Sequence, residues 1–326
     1  MKLKSSVRLH GGNNMIKIAM YWGAGCGGCD VSLLGLHEKI LDLLNEAEIV
    51  FWPCAMDFKY EDLEKMEDKS IDVAFYNGGI RTEENEEIAK LLRKKAKILV
   101  AYGSCATEGC VIGLANLYDK KDIFETVYLK NETTKNDEKI VPKEETDDLK
   151  LPEFLPYLKT LEQVVEVDAS IPGCPPPMPV LEDALNALLQ GKTKFGKEVA
   201  LCDECPRKDT KPDKIEISRF YRWHEKEDNG DCFLAQNMIC MGPATRAGCG
   251  GECISANIPC TGCMGPVPKV RNQGTSMLSA IASLIGEEID EETEKEIINS
   301  IEDFAGTFYK FSTAKLLPEG RLKDES

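Results

Sequence analysis

A chain of 326 residues, 42% hydrophobic and 29% charged, is too long for one small core and has the material for two domains. Its formal charge of −16 argues against nucleic acid as a partner, because phosphate backbones select clusters of Lys and Arg. Solubility explains the acidity most simply, and no apolar run reaches the length of a membrane span.

The first segment, Met1 to Asn14, is polar without an apolar centre, so a flexible arm is expected there rather than a secretory signal. Ile16 to Tyr21 follows as an apolar strand running into a Gly-rich loop. Val31 to Leu44 places Leu33, Leu34, Leu36, Ile40, Leu41 and Leu44 at helical spacing, which predicts one continuous helix. Further strands are predicted at Ile49 to Trp52, Ile71 to Tyr76, Ile98 to Tyr102 and Val164 to Val167. Thr82 is placed to cap a helix reaching Lys95, with glutamates in its first turns, and Pro179 to Leu189 reads as a helix closed by Gly191. Apolar strands alternating with helices predict an α/β domain over residues 15–195, a flavodoxin-like parallel sheet covered on both faces. Residues 116–161 read as a charged surface excursion. Residues 196–326 form a second domain in this reading, an irregular stretch holding eight cysteines and then helices at Ser276 to Ile285 and Glu291 to Leu317. The irregular part, Cys202 to Pro268, is expected to bury little apolar surface and to depend on metal for much of its folding free energy.

Fourteen cysteines are far above ordinary usage. In a reducing compartment disulfides do not persist, so grouped cysteines point to metal ligation. Cys26 and Cys29 follow the first strand, Cys105 the fourth and Cys174 the fifth. An open parallel sheet binds its ligands beyond the carboxyl ends of its strands, and all four cysteines fall there. Four convergent thiolates suit a 4Fe–4S cubane or a zinc ion. The same loop, Gly23-Ala-Gly25-Cys-Gly-Gly28, matches a dinucleotide fingerprint, but the second strand ends Phe51-Trp52-Pro53-Cys54 with no acidic residue at its tip. The other eight cysteines divide by chain order into Cys202, Cys205, Cys232 and Cys240, and Cys249, Cys253, Cys260 and Cys263. Members can be exchanged between such sets, since neighbouring clusters interleave ligands. Zinc is the simpler alternative for paired C-x-x-C motifs; irregular spacing and the apolar loops Cys240-Met-Gly-Pro and Cys263-Met-Gly-Pro favour iron.

These residues carry a family resemblance. The Cys26-Gly-Gly-Cys29 loop, Gly103-Ser-Cys105-Ala and Pro172-Gly-Cys174-Pro-Pro resemble the proximal-cluster motifs of nickel–iron hydrogenase small subunits. Cys240-Met-Gly-Pro-Ala-Thr with Cys249, then Pro259-Cys260-Thr-Gly-Cys263, resembles that family's second cluster region. The likeness covers residues 15 to 268. It implies an oxidoreductase subunit with no catalytic group of its own, which relays electrons from dihydrogen oxidation at a nickel–iron large subunit. It implies three 4Fe–4S clusters: proximal on Cys26, Cys29, Cys105 and Cys174, medial on Cys249, Cys253, Cys260 and Cys263, and distal on Cys202, Cys205, Cys232 and Cys240. Cys202 stands where many family members carry a His, and Cys253 supplies a fourth medial thiolate where many carry Pro. With no twin-arginine signal, the chain is similar to the cytoplasmic methyl-viologen-reducing branch of methanogenic archaea. There an iron–sulfur adaptor subunit and heterodisulfide reductase subunits are the implied onward partners. A deazaflavin-reducing hydrogenase subunit, a quinone-linked respiratory subunit and a zinc-stabilised scaffold are the alternatives.

Cys54 and Cys110 are left as spare thiols, Cys54 buried at a strand end and Cys110 in a helix after Cys105. Trp22 and Trp52 flank the proximal loops and are expected to exclude water. Asp30 and Glu108 are read as bonding backbone amides. His10, His37 and His224 are assigned no role, with His37 inside the first helix.

Overall fold

The computed structural model describes residues 15–143, 149–285 and 289–316, so the expected arm at 1–14 and the end of the last predicted helix lie outside the described residues. Seven strands and twelve α-helices are described in chain order. They are β1 (Ile16–Trp22), α1 (Gly28–Leu34), α2 (Lys39–Glu46), β2 (Ala47–Phe51), α3 (Tyr60–Lys65), β3 (Ile71–Asn77), β4 (Ile80–Thr82), α4 (Glu83–Lys95), β5 (Ala96–Tyr102) and α5 (Ser104–Thr107). Then come α6 (Lys120–Phe124), β6 (Phe154–Lys159), β7 (Ala169–Ile171), α7 (Met178–Leu188), α8 (Glu252–Ser255), α9 (Gln273–Leu284), α10 (Glu291–Asn299), α11 (Phe304–Phe308) and α12 (Thr313–Leu316).

Five strands form one parallel sheet in the order β2-β1-β3-β5-β7, the flavodoxin-like order expected from the sequence. All of β3 is buried, because helices cover both faces of the sheet. One face packs Ile18, Met20, Val73, Phe75 and Val100 against α7. The other packs Ala19, Phe51, Ala74, Tyr76 and Leu99 against Leu63 of α3 and Ile88 and Leu92 of α4. Thr82 caps α4 as predicted, its hydroxyl accepting from Asn85 N.

The predicted helix over Val31 to Leu44 is two helices. The chain turns between α1 and α2, where His37 takes a left-handed φ of 51°, outside both helices and exposed. Leu33 and Leu36 are buried, while Leu34 and Leu41 face solvent, so the apolar stripe does not continue across the break. The last strand lies at β7 rather than at Val164 to Val167. Asp168 decides this: its carboxylate accepts Leu99 N at 2.7 Å and pairs with Arg93 at 2.5 Å, so the β5–β7 ladder proper pairs Val100 with Ala169 and Tyr102 with Ile171. Val164, Val165 and Val167 pack beneath the sheet instead.

The excursion at 116–161 is surface only in part. Its return strand β6 pairs antiparallel with β4, and buried Asn116 bonds both N and O of Leu158 at 2.8 Å. The segment Cys202 to Pro268 also departs from expectation, because it buries a substantial apolar core. Phe220, Phe233, Leu234, Met238 and Met241 meet Met277 and Ile281 of α9 and Phe308 of α11. Irregular backbone turns each side chain inward singly, leaving no period to read. The long helix predicted from Glu291 is α10, α11 and α12, broken where Asp303 leaves helical geometry and accepts Gly306 N at 2.8 Å.

Backbone contacts between strand-end loops set where the cysteines can stand. Gly23 N donates to Asn77 O at 2.8 Å, and Ala24 exchanges hydrogen bonds with Gly79 at 2.9 and 2.6 Å. Gly78 sits at φ +88°, and a Cβ there would lie 2.7 Å from the Gly23 carbonyl carbon and 2.9 Å from Ala24 O. Gly78→Ala should therefore lower unfolding stability by more than about 1 kcal/mol, read as a drop in denaturant midpoint, since it adds backbone overlap to an unfavourable φ.

Candidate metal centres

The loops after β1, β5 and β7 converge at the carboxyl edge of the sheet. Gly103 N donates to Ile171 O, and Ser104 N to Gly173 O, both at 2.8 Å, which fixes Cys105 beside Cys174. Tyr102 OH donates to Cys29 O at 3.0 Å. A side chain at Gly103 would overlap Cys29 Sγ, so glycine leaves the space the thiol occupies. Asp30, buried beside Cys29, accepts from Trp52 Nε1 at 2.8 Å, Asn77 Nδ2 at 2.9 Å and Cys54 Sγ at 3.4 Å. It thus bonds side chains, not backbone amides. Glu108 differs likewise: it is buried and pairs with Lys315 at 3.1 Å. Trp52 is buried, but Trp22 is 42% exposed and rests its ring against Gly27, so it does not seal the loop.

The first set is thus brought together, and with it a residue that its sequence position leaves spare. Cys110 is buried, lies ahead of a 3₁₀ turn rather than inside a helix, and its Sγ is 3.4 Å from Cys174 Sγ. Its place five residues beyond Cys105 gave no signal of this contact, which the loop turning back under Phe311 creates. Cys54, expected to be buried, is exposed.

The other eight cysteines form two neighbouring groups. Cys202 lies within electrostatic reach of Cys240, Cys205 and Cys232, and Gly242 packs against the sulfurs of Cys202 and Cys240. Cys263 lies within reach of Cys249 and Cys253, and Cys260 within reach of both Cys263 and Cys240. Ser104 Oγ accepts Gly173 N at 3.2 Å and donates to Cys263 O, which ties Cys263 to the Cys174 loop. Met241 N donates to Cys260 O at 2.8 Å. The set containing Cys260 and Cys263 therefore touches the Cys174 loop on one side and the Cys240 loop on the other.

Side chains that sequence alone did not single out clamp these loops. Arg207 binds both carboxylate oxygens of Asp228 at 2.7 Å, Asp231 O at 2.9 Å and Asn257 Oδ1 at 2.8 Å, with its guanidinium 4.2 Å from the centre of the Phe233 ring. This holds Asp228 well below the usual carboxylate range. Arg207 N also donates to Cys205 Sγ at 3.4 Å. Glu204 accepts Gly248 N at 2.6 Å and Gly250 N at 2.8 Å, tying the Cys202 loop to Cys249. Buried Gln273 donates to Gly262 O at 3.0 Å and Thr245 Oγ1 at 3.2 Å beneath the Cys260–Cys263 loop.

The donor sets fit iron–sulfur clusters. Burial above all pushes Cys29 and Cys202 up to about 12, and Cys240 and Cys263 up to about 11. Such thiols stay protonated until a metal displaces the proton. Backbone N–H groups already donate to sulfur, Gly28 N to Cys26 Sγ and Arg207 N to Cys205 Sγ, both at 3.4 Å. Among the described residues no three His, Cys, Asp or Glu side chains close on a point that would hold one metal ion. A cubane's four thiolates each bond a different iron, so they need not meet at a point.

Grouped thiols on cross-braced loops, one set of them at the edge of a flavodoxin-like sheet, define an iron–sulfur protein. Residues 26–188 match the family model described as NADH ubiquinone oxidoreductase, 20 Kd subunit. The chain is 40% identical to a subunit of the F420-non-reducing hydrogenase of Methanothermobacter thermautotrophicus, over 93% of this chain and 96% of that one. It is 36% identical to an iron–sulfur subunit of the F420-non-reducing hydrogenase of Archaeoglobus profundus, over 91% and 96%. A solved NAD+-reducing [NiFe]-hydrogenase in the H2-reduced state aligns with a TM-score of 0.48 at 27% identity, covering 56% of this chain and 96% of that one. The chain belongs to the small subunits of the F420-non-reducing nickel–iron hydrogenases. It is an oxidoreductase subunit that implies a large-subunit partner, and among the described residues no helix is long and apolar enough to cross a membrane.

The raised thiols carry a pH signature in metal-free protein. They bind protons more tightly folded than unfolded, so their contribution is complete below the unfolded thiol value of about 8.5 and is lost as pH rises toward about 11–12. The urea midpoint of the metal-free chain should fall as pH is raised from about 8 to about 10, and that of loaded protein should fall less.

Proposed function

We propose that this chain relays electrons between dihydrogen chemistry at a nickel–iron large subunit and an onward acceptor, through three 4Fe–4S clusters. Cys26, Cys29, Cys105 and Cys174 would hold the proximal one, Cys249, Cys253, Cys260 and Cys263 the medial one, and Cys202, Cys205, Cys232 and Cys240 the distal one. Residues 15–195 and 196–326 are the corresponding domains. The observation that carries the reading is the middle position of one set, with Cys263 tied through Ser104 to the Cys174 loop and Cys260 bonded to the Cys240 loop through Met241 N. A chain of three adjoining sets is what electron passage needs, and a zinc-stabilised scaffold has no use for it. The names of the relatives favour the F420-non-reducing reading over its deazaflavin-reducing alternative. The resemblance to the methyl-viologen-reducing branch supplies the acceptor, an iron–sulfur adaptor leading to heterodisulfide reductase, and a cytoplasmic setting.

When bound, a cubane takes up and releases single electrons at nearly constant geometry. The protein's task is to hold each set rigidly, keep water away and set the potential through N–H donors and burial. None of its side chains needs to act as acid, base or nucleophile. Asp30 and Glu108 are engaged by the partners described above.

Fully loaded protein should contain roughly twelve irons with matching sulfide. Four or eight irons, or zinc in their place, would overturn the cluster count or the chemistry. Cys54→Ala should leave the iron content unchanged.

The order of the relay is open to a separate test in the assembled hydrogenase. Cys202→His should preserve hydrogen-isotope exchange while slowing reduction of the onward acceptor, and Cys26→His should disturb both. Loss of isotope exchange from the Cys202 variant, with its other clusters intact, would reverse the proposed order.

A further inference from the structure

The set assigned to the outer end of the relay has a cation built into it. Arg207 follows Cys205 by two residues, and its side chain is only 8% exposed. Its guanidinium donates to Asp231 O and lies over the Phe233 ring, so it grips the residues on either side of Cys232. It also donates to Asn257 Oδ1 and to both carboxylate oxygens of Asp228. Asp228 is held in turn by Gln236 Nε2 at 2.9 Å and Gly230 N at 3.1 Å. The cation is thereby fixed within electrostatic reach of both Cys205 and Cys232. Two lysines also reach cysteines, Lys197 to Cys249 and Lys211 to Cys202, but both stand in solvent, where their fields are screened. Among the described residues no cation is one of the strongest influences on Cys29 or Cys263 in the other two sets.

We propose that Arg207 raises the reduction potential of the set formed by Cys202, Cys205, Cys232 and Cys240, and so draws electrons outward along the relay. The inference rests on the reading that these four cysteines hold a cubane. An electron arriving there adds one negative charge and breaks no bond, so a fixed cation favours the reduced form. A neighbouring opposite charge is worth a factor of about ten or more in such an equilibrium. The guanidinium keeps its proton throughout the working pH range, and its fork leaves it no freedom to turn away from the sulfurs. Asp228 holds it in place, while the carboxylate's own charge works in the opposite sense. The pair therefore offers two handles of opposite sign on one potential.

The test is a reductive titration of the assembled hydrogenase, in which the paramagnetic spectrum gives a midpoint for each set and Cys202→His marks which signal is the outermost. Arg207→Gln should lower that midpoint, so that the ratio of reduced to oxidised cluster at a fixed potential falls about tenfold, or about 59 mV for a one-electron couple. The other two midpoints and the iron content should stay as they were. Arg207→Lys keeps the charge and should recover most of the loss, and Asp228→Asn should move the midpoint upward. An unchanged midpoint in Arg207→Gln, a Lys variant as low as the Gln variant, or equal movement of all three sets would overturn the proposal. If Arg207→Gln does not load its iron, Asp228→Asn decides alone: a raised midpoint supports the proposal, and an unchanged or lowered one overturns it. Signals from only two sets in the unaltered protein would overturn the cubane reading itself and the proposal with it, so the two failures are distinguishable.

Discussion

Peptide hydrogen bonds that cross from one strand-end loop to the next are the constraint on which the rest depends. The β1 loop is tied to the β3 loop through Gly23, Ala24 and Gly79, and the β5 loop to the β7 loop through Gly103 and Ser104. A parallel sheet aligns its strand ends but leaves each following loop free; these bonds remove that freedom where thiols must meet. Glycine is required at Gly78 and Gly103 because the neighbouring loop or sulfur fills the space a side chain would take. Ser104 joins the first set to the rest of the molecule, its hydroxyl donating to Cys263 O and accepting Gly173 N at 3.2 Å.

Beyond the sheet, side chains do what strand geometry does within it. Arg207, Glu204 and Gln273 each bridge loops that carry different cysteines, and each is satisfied by several partners at once. Polar side chains engaged by several partners at once specify one arrangement, which irregular backbone cannot do unaided. The apolar core around Phe233, Met241 and Met277 then gives these loops a foundation that does not depend on metal alone.

The sheet was legible because buried parallel strands are continuous apolar runs and because cysteines after them fall at one predictable edge. Two errors share a cause. Val164 to Val167 has strand composition, but Asp168 ties the chain to Leu99 one step early, and composition does not reveal a tertiary bond. The Leu-rich run after Val31 has helical spacing, yet His37 turns the chain left-handed. Cys110 counts as spare in a one-dimensional ledger of fours, and only the fold brings its sulfur to Cys174. Arg207 and Gln273 offered no signal, since a clamp is defined by loops distant in sequence.

The chemistry also sets a charge problem that the chain solves locally. A set of four thiolates on these loops would bring negative charge into surroundings that already raise the thiols, in a molecule whose formal charge is −16. Long-range attraction from surface cations would be screened and is in short supply. N–H groups fixed within hydrogen-bonding distance of sulfur act where screening does not reach. Gly28 supplies such a donor to Cys26 and Arg207 one to Cys205, each from a loop that also bears a cysteine. The glycine-rich cysteine loops therefore have one physical reason for two properties: backbone that can come close enough to make room for sulfur also comes close enough to hold its charge.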